Sequence, residues 1–389
     1  MDPLPLSRLV RHVWAVGAPL LSGLLQAQSF THTMGAMNAQ DGIGAWPTTE
    51  GYRVAIREYV GSPHAYTGTL HHAGPNGVIT ALGIPLSEEN TFLQNVVAHP
   101  DGGACLVGSV LRTAPHVHDA LAVRTSITGE ILWSHAPALS GAQQFFGGVG
   151  LDDGGVVLCG VSDQGDGHRP LVMRFGADGE VLWSYIGTEA TEAEAYDVAV
   201  EADVLMVTGR VANFSGQDDI LACRLSLDGD LVWTSAFGGA GSDVGRAVIA
   251  RGNGAFLIAG YTDSFGTFDQ SSQRTPFHGY VLGLDLAGDT LFTRALGDTL
   301  SDVRLYAMAG LANGDVCLAG ERGTSALSDA LLLRITANGT VVWQRMLDLG
   351  KEERITHVHA LSDGVLATGW AFSEFGRQVL FIRRDTNGN

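Results

Sequence analysis

Lysine is all but missing from this chain: Lys351 is the only one, and arginine supplies the rest of the 23 basic residues that face 41 acidic ones. The formal net charge of −18 repels phosphate backbones, and no basic cluster offsets it locally. Nucleic acid and anionic membrane surfaces are therefore excluded as expected partners. Charged residues of all kinds make up only 16% of the sequence, against 52 glycines. That balance favours many short strands joined by tight turns over long amphipathic helices.

Long hydrophobic runs are scarce as well. One apolar stretch, residues 13–25, follows Arg8 and Arg11 and precedes Leu25-Gln26-Ala27-Gln28. It is too short to span a bilayer and has the layout of an export signal, with cleavage expected near Ala27. On this reading residues 1–27 are a signal peptide and residues 28–389 a single domain. That domain works outside the cytoplasm, secreted, periplasmic or at the cell surface, with no transmembrane segment and as a monomer. Cysteine is limited to Cys105, Cys159, Cys223 and Cys317, all inside apolar strand-like runs. Cys105 and Cys317 fall at one register of two distant repeats and could not reach each other. Buried free thiols acting as small hydrophobes are expected, not disulfides.

Recognised catalytic motifs are missing too. There is no Gly-x-Ser-x-Gly elbow, His-Glu-x-x-His helix, phosphate loop with lysine, or Cys-x-x-Cys ribbon.

What the chain does have is a repeat with a period near 50 residues. One copy reads Asp219-Ile-Leu-Ala-Cys-Arg224-Leu-Ser-Leu-Asp-Gly229-Asp-Leu-Val-Trp233. Others place Arg124, Gly129 and Trp133, then Arg174, Gly179 and Trp183, then Arg334, Gly339 and Trp343; a degenerate one has Gly288 and Phe292. Each is a strand, a glycine turn and a second strand carrying an aromatic: a hairpin. A further strand pair precedes each hairpin. Small residues recur at Ala98, Gly150, Ala199, Ala250, Gly310 and Ala360, as an innermost strand would require. Turns such as Asp101-Gly102 and Asn253-Gly254 follow, and the next strand ends at Gly108, Gly160, Gly209, Gly260, Gly320 and Gly369.

Four short strands per period describe a propeller blade. The turn glycine recurs at Gly77, Gly129, Gly179, Gly229, Gly288, Gly339 and Gly388, which makes seven blades. They are expected over about residues 42–83, 92–137, 145–187, 196–238, 244–297, 304–348 and 354–389. In the first, Arg57 stands where the strand-ending glycine belongs. The last copy stops at its turn, Asp385-Thr-Asn-Gly388-Asn389. Joining Gln28 to Asn389 puts Phe30 at the aromatic position, with Gly35 near the register of Gly238 and Gly297. Residues 28–36 are therefore expected to supply the missing outer strand and close the ring.

With its Arg-Leu-x-x-x-Gly-x-x-x-Trp unit, the chain resembles secreted bacterial β-propeller repeat proteins of the Bacteroidetes type, near the quinoprotein-like propeller group. The resemblance covers nearly all of residues 28–389 and implies the fold. Quinoprotein dehydrogenases resemble it at Thr128-Gly129-Glu130-Ile-Leu-Trp133. Their docking repeat, however, has Asp four residues before the glycine, where this chain has Thr125, Phe175, Leu225, Leu284 and Ile335. No adjacent cysteine pair is present either, so no cofactor is expected.

The remaining candidates are weaker. His357 and His359 lie two apart on an inner strand, so both project to one side and could begin a zinc or copper site; channel-lining histidines are the plainer expectation. His116 and His118 share the spacing in a polar loop. The loop carboxylates Asp163, Asp166, Asp218 and Asp219 (with His168 nearby) could hold calcium, although turn-capping explains them. Arg124, Arg174, Arg224, Arg334 and Arg383 share one register and are expected to pair with acidic neighbours or loop carbonyls between blades. No residue is assigned as catalytic, cofactor-binding or metal-binding. The expectation is a non-catalytic propeller binding a protein or glycan through one face, the alternative being a hydrolase, lyase or degenerate oxidoreductase with its site at the central channel.

Overall fold

The structure is a computed structural model describing residues 29–389, apart from 35–38, 62–64, 86–89, 113–116, 138, 189–191, 214, 267, 270–273, 325–326 and 375. Residues 1–27, expected to be an export signal, lie outside the described residues together with Gln28, Gly35 and His116. Among those described, every strand belongs to one of seven four-stranded antiparallel sheets, and no helix is long and apolar enough to cross a membrane. The blades span residues 40–85, 91–135, 142–186, 193–237, 243–296 and 302–347, and the seventh combines 353–385 with 30–34.

Blades one to six each use four consecutive strands, inner to outer. The seventh takes its outer strand from the opposite terminus: Phe30–Met34 pairs antiparallel with Gly376–Asp385, from Phe30 opposite Arg383 to Met34 opposite Val379. Arg384 secures this seam with guanidinium hydrogen bonds to the Phe30 carbonyl (2.9 Å) and the Thr31 hydroxyl (2.7 Å). The ring thus closes through main-chain hydrogen bonds, leaving no unpaired third strand in the last blade.

The core is not central but lies in seven layers, one between each pair of neighbouring blades. Because blades cover one another, second and third strands are buried on both faces. That explains why Val156-Val157-Leu158-Cys159 reads as an unbroken apolar run instead of alternating. All four cysteines are buried in these layers, and none is joined in a disulfide.

The repeated aromatic and the repeated turn glycine form one device. Trp183 sits opposite Arg174 on its own blade, and its indole N–H donates to the Leu227 carbonyl of the next (3.1 Å). Its ring is the seat for Gly229, where an added Cβ would lie 2.7 Å away. The glycine turn also has φ of +92°, a left-handed conformation that glycine adopts without strain. Trp133, Trp233 and Trp343 donate in the same way to Ala177, Leu286 and Thr386. At the seam Phe30 takes the tryptophan register, and a Cβ on Gly77 of blade one would approach its ring to 2.5 Å.

The repeated arginines complete this latch. Arg174 pairs with Asp153 at 2.7 Å and donates to Leu227 O at 3.0 Å, and Arg334 pairs with Asp315 and Thr386 O. Arg124 and Arg383 reach Asp101 and Asp363, while Arg224 donates to Leu286 O.

Every inner strand carries a β-bulge at the same register. The residue left between the two ladders is Ile43, Gln94, Phe146, Tyr196, Arg246, Tyr306 or Thr356, in blades one to seven respectively. A bulge re-aims one side chain without ending the strand. The residue just before it normally faces the strand-ending glycine, as Leu93 faces Gly108 and Phe145 faces Gly160.

Blade one corrects the expectation for Arg57. Ile56, not Arg57, stands at the glycine register, opposite Gly42. The glycine has moved to the inner strand, where a Cβ would lie 2.8 Å from Val379 and 3.0 Å from the Gly369 carbonyl. The contact differs in kind, since Gly108 and Gly160 press on the inner strand of their own blade and Gly42 presses on blade seven; Arg57 is left one place further on, opposite Asp41.

Candidate functional site

All seven bulge residues line one cavity at the channel mouth, with about 760 Å³ of empty space including its solvent-open side. They are joined there by Asp41, Arg57, Asn95, Arg354 and Trp370. The opposite ends of the inner strands hold the small residues read from the sequence, Gly150 and Ala199 among them. Bulky chemistry is confined to the mouth.

Arginine and aromatic rings alternate around this rim. The Arg246 guanidinium lies 4.1 Å from the Tyr196 ring centroid and 5.7 Å from that of Tyr306. Arg354 lies 4.8 Å from Tyr306 and 5.2 Å from Trp370, and Arg377 4.3 Å from Trp370. Arg57 lies 4.1 Å from Phe92. Guanidinium over an aromatic face is attractive, more so where water is partly excluded.

Most of these cations are already matched. Arg57 pairs with Asp41 at 2.5 Å, and Arg377 reaches the other oxygen of the same carboxylate at 3.5 Å. Arg354 donates to both oxygens of Glu321, at 2.7 and 3.1 Å. Arg246 differs: among the described residues it makes no ion pair, and its buried Nε has no hydrogen-bond partner.

The two rim tyrosines are held by buried carboxylates. Tyr196 O–H donates to Glu194 (2.7 Å), which also receives Arg210 (2.6 Å) and His168 (2.9 Å). Tyr306 O–H donates to Glu321 (2.7 Å). Burial, then the adjacent glutamate charge, pushes both phenols far above their ordinary range, so they stay neutral donors. Burial also works to raise Glu194, but the hydrogen bonds from Arg210 and Tyr196 overcome it and hold that carboxyl low.

Asp197, next to the bulge tyrosine, spans two blades. Its oxygens accept the amides of Val198 and of Val248 in blade five, both at 2.9 Å. Burial dominates over these bonds and pushes the carboxyl up to about 7. His357 and His359 follow the bulge in blade seven. Burial lowers both, His357 to about 4 with help from its neighbour, and His357 Nδ1 is buried without a partner.

The other sequence candidates do not converge. Asp163 accepts the Gly165 amide in a turn, Asp166 pairs with Arg169, and Asp218 pairs with Arg210. Asp219 accepts a hydrogen bond from Asn213. His118 meets Ser109 and borders a second hollow, lined also by Tyr66, Phe92 and Gln144, that shares Gln94 with the mouth cavity. Sequence reasoning missed Phe146, Tyr196, Arg246, Tyr306 and Arg354. The signal for the first four was a register recurring about every 50 residues whose occupant keeps changing while its surroundings repeat; Arg354 lies two residues before that register in blade seven.

No family model matches the chain, and no curated protein matches its sequence. Solved structures do match in fold. A puromycin hydrolase mutant in complex with PGG is similar over 91% of this chain and 53% of its own, at 14% identity and a TM-score of 0.54. The WD40 domain of Pan2 from Neurospora crassa is similar over 90% of this chain and 97% of its own, at 8% identity and 0.50. The β-propeller domain of the trilobed protease from Pyrococcus furiosus is similar over 92% and 98%, at 9% and 0.49. Identities this low show the propeller fold and nothing further about activity.

Proposed function

We propose that this protein is an exported binding propeller whose channel mouth holds a saccharide bearing a single acidic group. The observation that carries the reading is Arg246, which forms no ion pair among the described residues, feels the Asp197 carboxylate only through space, and is seated on Tyr196 in a cavity lined by side chains from all seven blades. A carboxylate or sulfate is the natural partner for such a fork. The half-buried ring of Phe146 at the same mouth offers an apolar face of the kind that packs on sugar rings. The second hollow borders the mouth at Gln94 and lies where a further residue of a short chain would extend.

The net charge of −18 argues for one acidic group and against a polyanion, which the surrounding surface would repel. Binding without turnover is supported by the lining itself. Its one carboxylate, Asp41, already bridges Arg57 and Arg377 and is not free to act as a base.

The test is a calorimetric survey of short uronate-terminated, sulfated and neutral oligosaccharides against the wild-type chain and Arg246→Gln. Acidic members should bind, and the variant should lose about 10- to 100-fold in affinity, as expected for a charge-assisted hydrogen bond of roughly 1.5–3 kcal/mol. Equal binding of neutral and acidic members, or no effect of the substitution, would remove the basis of the reading.

A further inference from the structure

We propose that the junction between blades six and seven binds a calcium-type divalent cation between Asp329, Asp348 and Glu353. Asp329 comes from the third strand of blade six, Asp348 follows its outer strand, and Glu353 opens the inner strand of blade seven. One ligand oxygen from each lies within 4.8 Å of the other two. Asp348 is exposed, which leaves a path for the ion to enter, and Asp329 is half-buried.

Glu353 carries the argument beyond a crowd of acids. Its side chain is fully buried, the Lys351 amide contacts one oxygen at 3.4 Å, and Oε2 has no hydrogen-bond partner. A buried, unmatched carboxylate oxygen costs free energy unless something cationic meets it. Arg322, across the ladder from Asp329, acts on it only through space, since its own contacts go to Asp298 and Ser301. Among the described residues none of the three carboxylates forms an ion pair.

The repeat supplies an internal control. The same register 110 residues earlier holds Asp219, Gly238 and Asp243. There the third carboxylate is replaced by glycine, and a Cβ on Gly238 would lie 2.3 Å from Asp219 and 2.6 Å from Asp243. There Asp243 accepts the Gly239 amide (2.8 Å) and the Ser264 hydroxyl (2.6 Å) on Oδ2, while its buried Oδ1 has no hydrogen-bond partner. Both junctions bury a carboxylate held by a backbone amide and left with one unpartnered oxygen; the difference is the third carboxylate, Asp348, where the sister junction has Gly238. An all-oxygen donor set without histidine or cysteine selects a hard ion, and calcium tolerates irregular geometry completed by water.

The experiment uses the full chain, stripped with EDTA and dialysed, then titrated with calcium chloride against sodium chloride of matched ionic strength. One calcium per chain should bind by calorimetry, with a rise of a few degrees in the unfolding midpoint that sodium does not reproduce and that magnesium reproduces weakly. Asp348→Asn and Asp348→Gly should abolish both signals; the second installs the residue that the sister junction already folds with. The calcium-free midpoint of Asp348→Asn should be no lower than wild type, since a repulsive charge is gone. No calcium-specific response in the wild type, or an undiminished one in either variant, would overturn the proposal.

Discussion

The outer half of each blade and the channel mouth obey opposite rules. At the latch, geometry and residues both repeat: Trp133, Trp183, Trp233 and Trp343 make the same bond to the next blade, over glycines held at the same turn. At the mouth the geometry repeats but the residues do not, and seven identical bulges carry Ile, Gln, Phe, Tyr, Arg, Tyr and Thr. A blade must match its neighbours in the same way seven times, so the latch is free to be uniform. A ligand held at the mouth would meet all seven blades at once, so such a site gains from being different at each.

Two phenylalanines test this contrast with the largest expected effect. Phe30 is buried at the seam, with its ring edge-on to Phe381 at 4.9 Å and against Gly77. Phe30→Ala should cost about 3–5 kcal/mol in denaturant unfolding, the range for emptying a buried aromatic site. Phe146, at the mouth, is only half-buried, and Phe146→Ala should cost near or below about 1 kcal/mol while weakening ligand binding. Similar stability losses from both would erase the distinction.

A smaller effect should appear in pH. The folded Asp197 carboxyl titrates at about 7, against an ordinary 3.8. Its protonated form is favoured by the fold, so that contribution is complete below pH 3.8 and is lost as pH rises towards 7. His357 does the reverse. Folded at about 4 against an ordinary 6.5, its contribution is complete above pH 6.5 and is lost as pH falls towards 4. The two slopes oppose each other over the same window, flattening the wild-type profile. Asp197→Asn should therefore unmask stability that rises with pH, and His357→Gln stability that falls with it. Parallel profiles for both variants would contradict these assignments.

How much was legible follows from the same contrast. Residues that recur unchanged announced the blades, the glycine seats and the arginine pairings, and Phe30 could be placed in the tryptophan register from spacing alone. The mouth was hidden for a geometric reason. Each bulge adds one residue to one strand, so alternation counted through it assigns Tyr196 or Phe146 to the wrong face. Since all seven blades share the bulge, the repeat length gives no hint of it. Arg57 was misplaced by one position because blade one moves its close-packing glycine across the ladder, from the Ile56 register to Gly42. The Glu194 and Glu321 supports lie on an inner and a second strand, and only folding brings both beside rim tyrosines.

The account rests most heavily on Arg246 meeting an acidic group, and a double-mutant cycle measures that pairing directly. The two ligands should be an oligosaccharide ending in a uronate and its carboxyl-reduced, neutral counterpart, each titrated into wild type and Arg246→Gln at one ionic strength. A coupling energy of about 1.5 kcal/mol or more is expected, with the reduced sugar indifferent to the substitution. Additive effects, with no coupling between the carboxylate and Arg246, would contradict it.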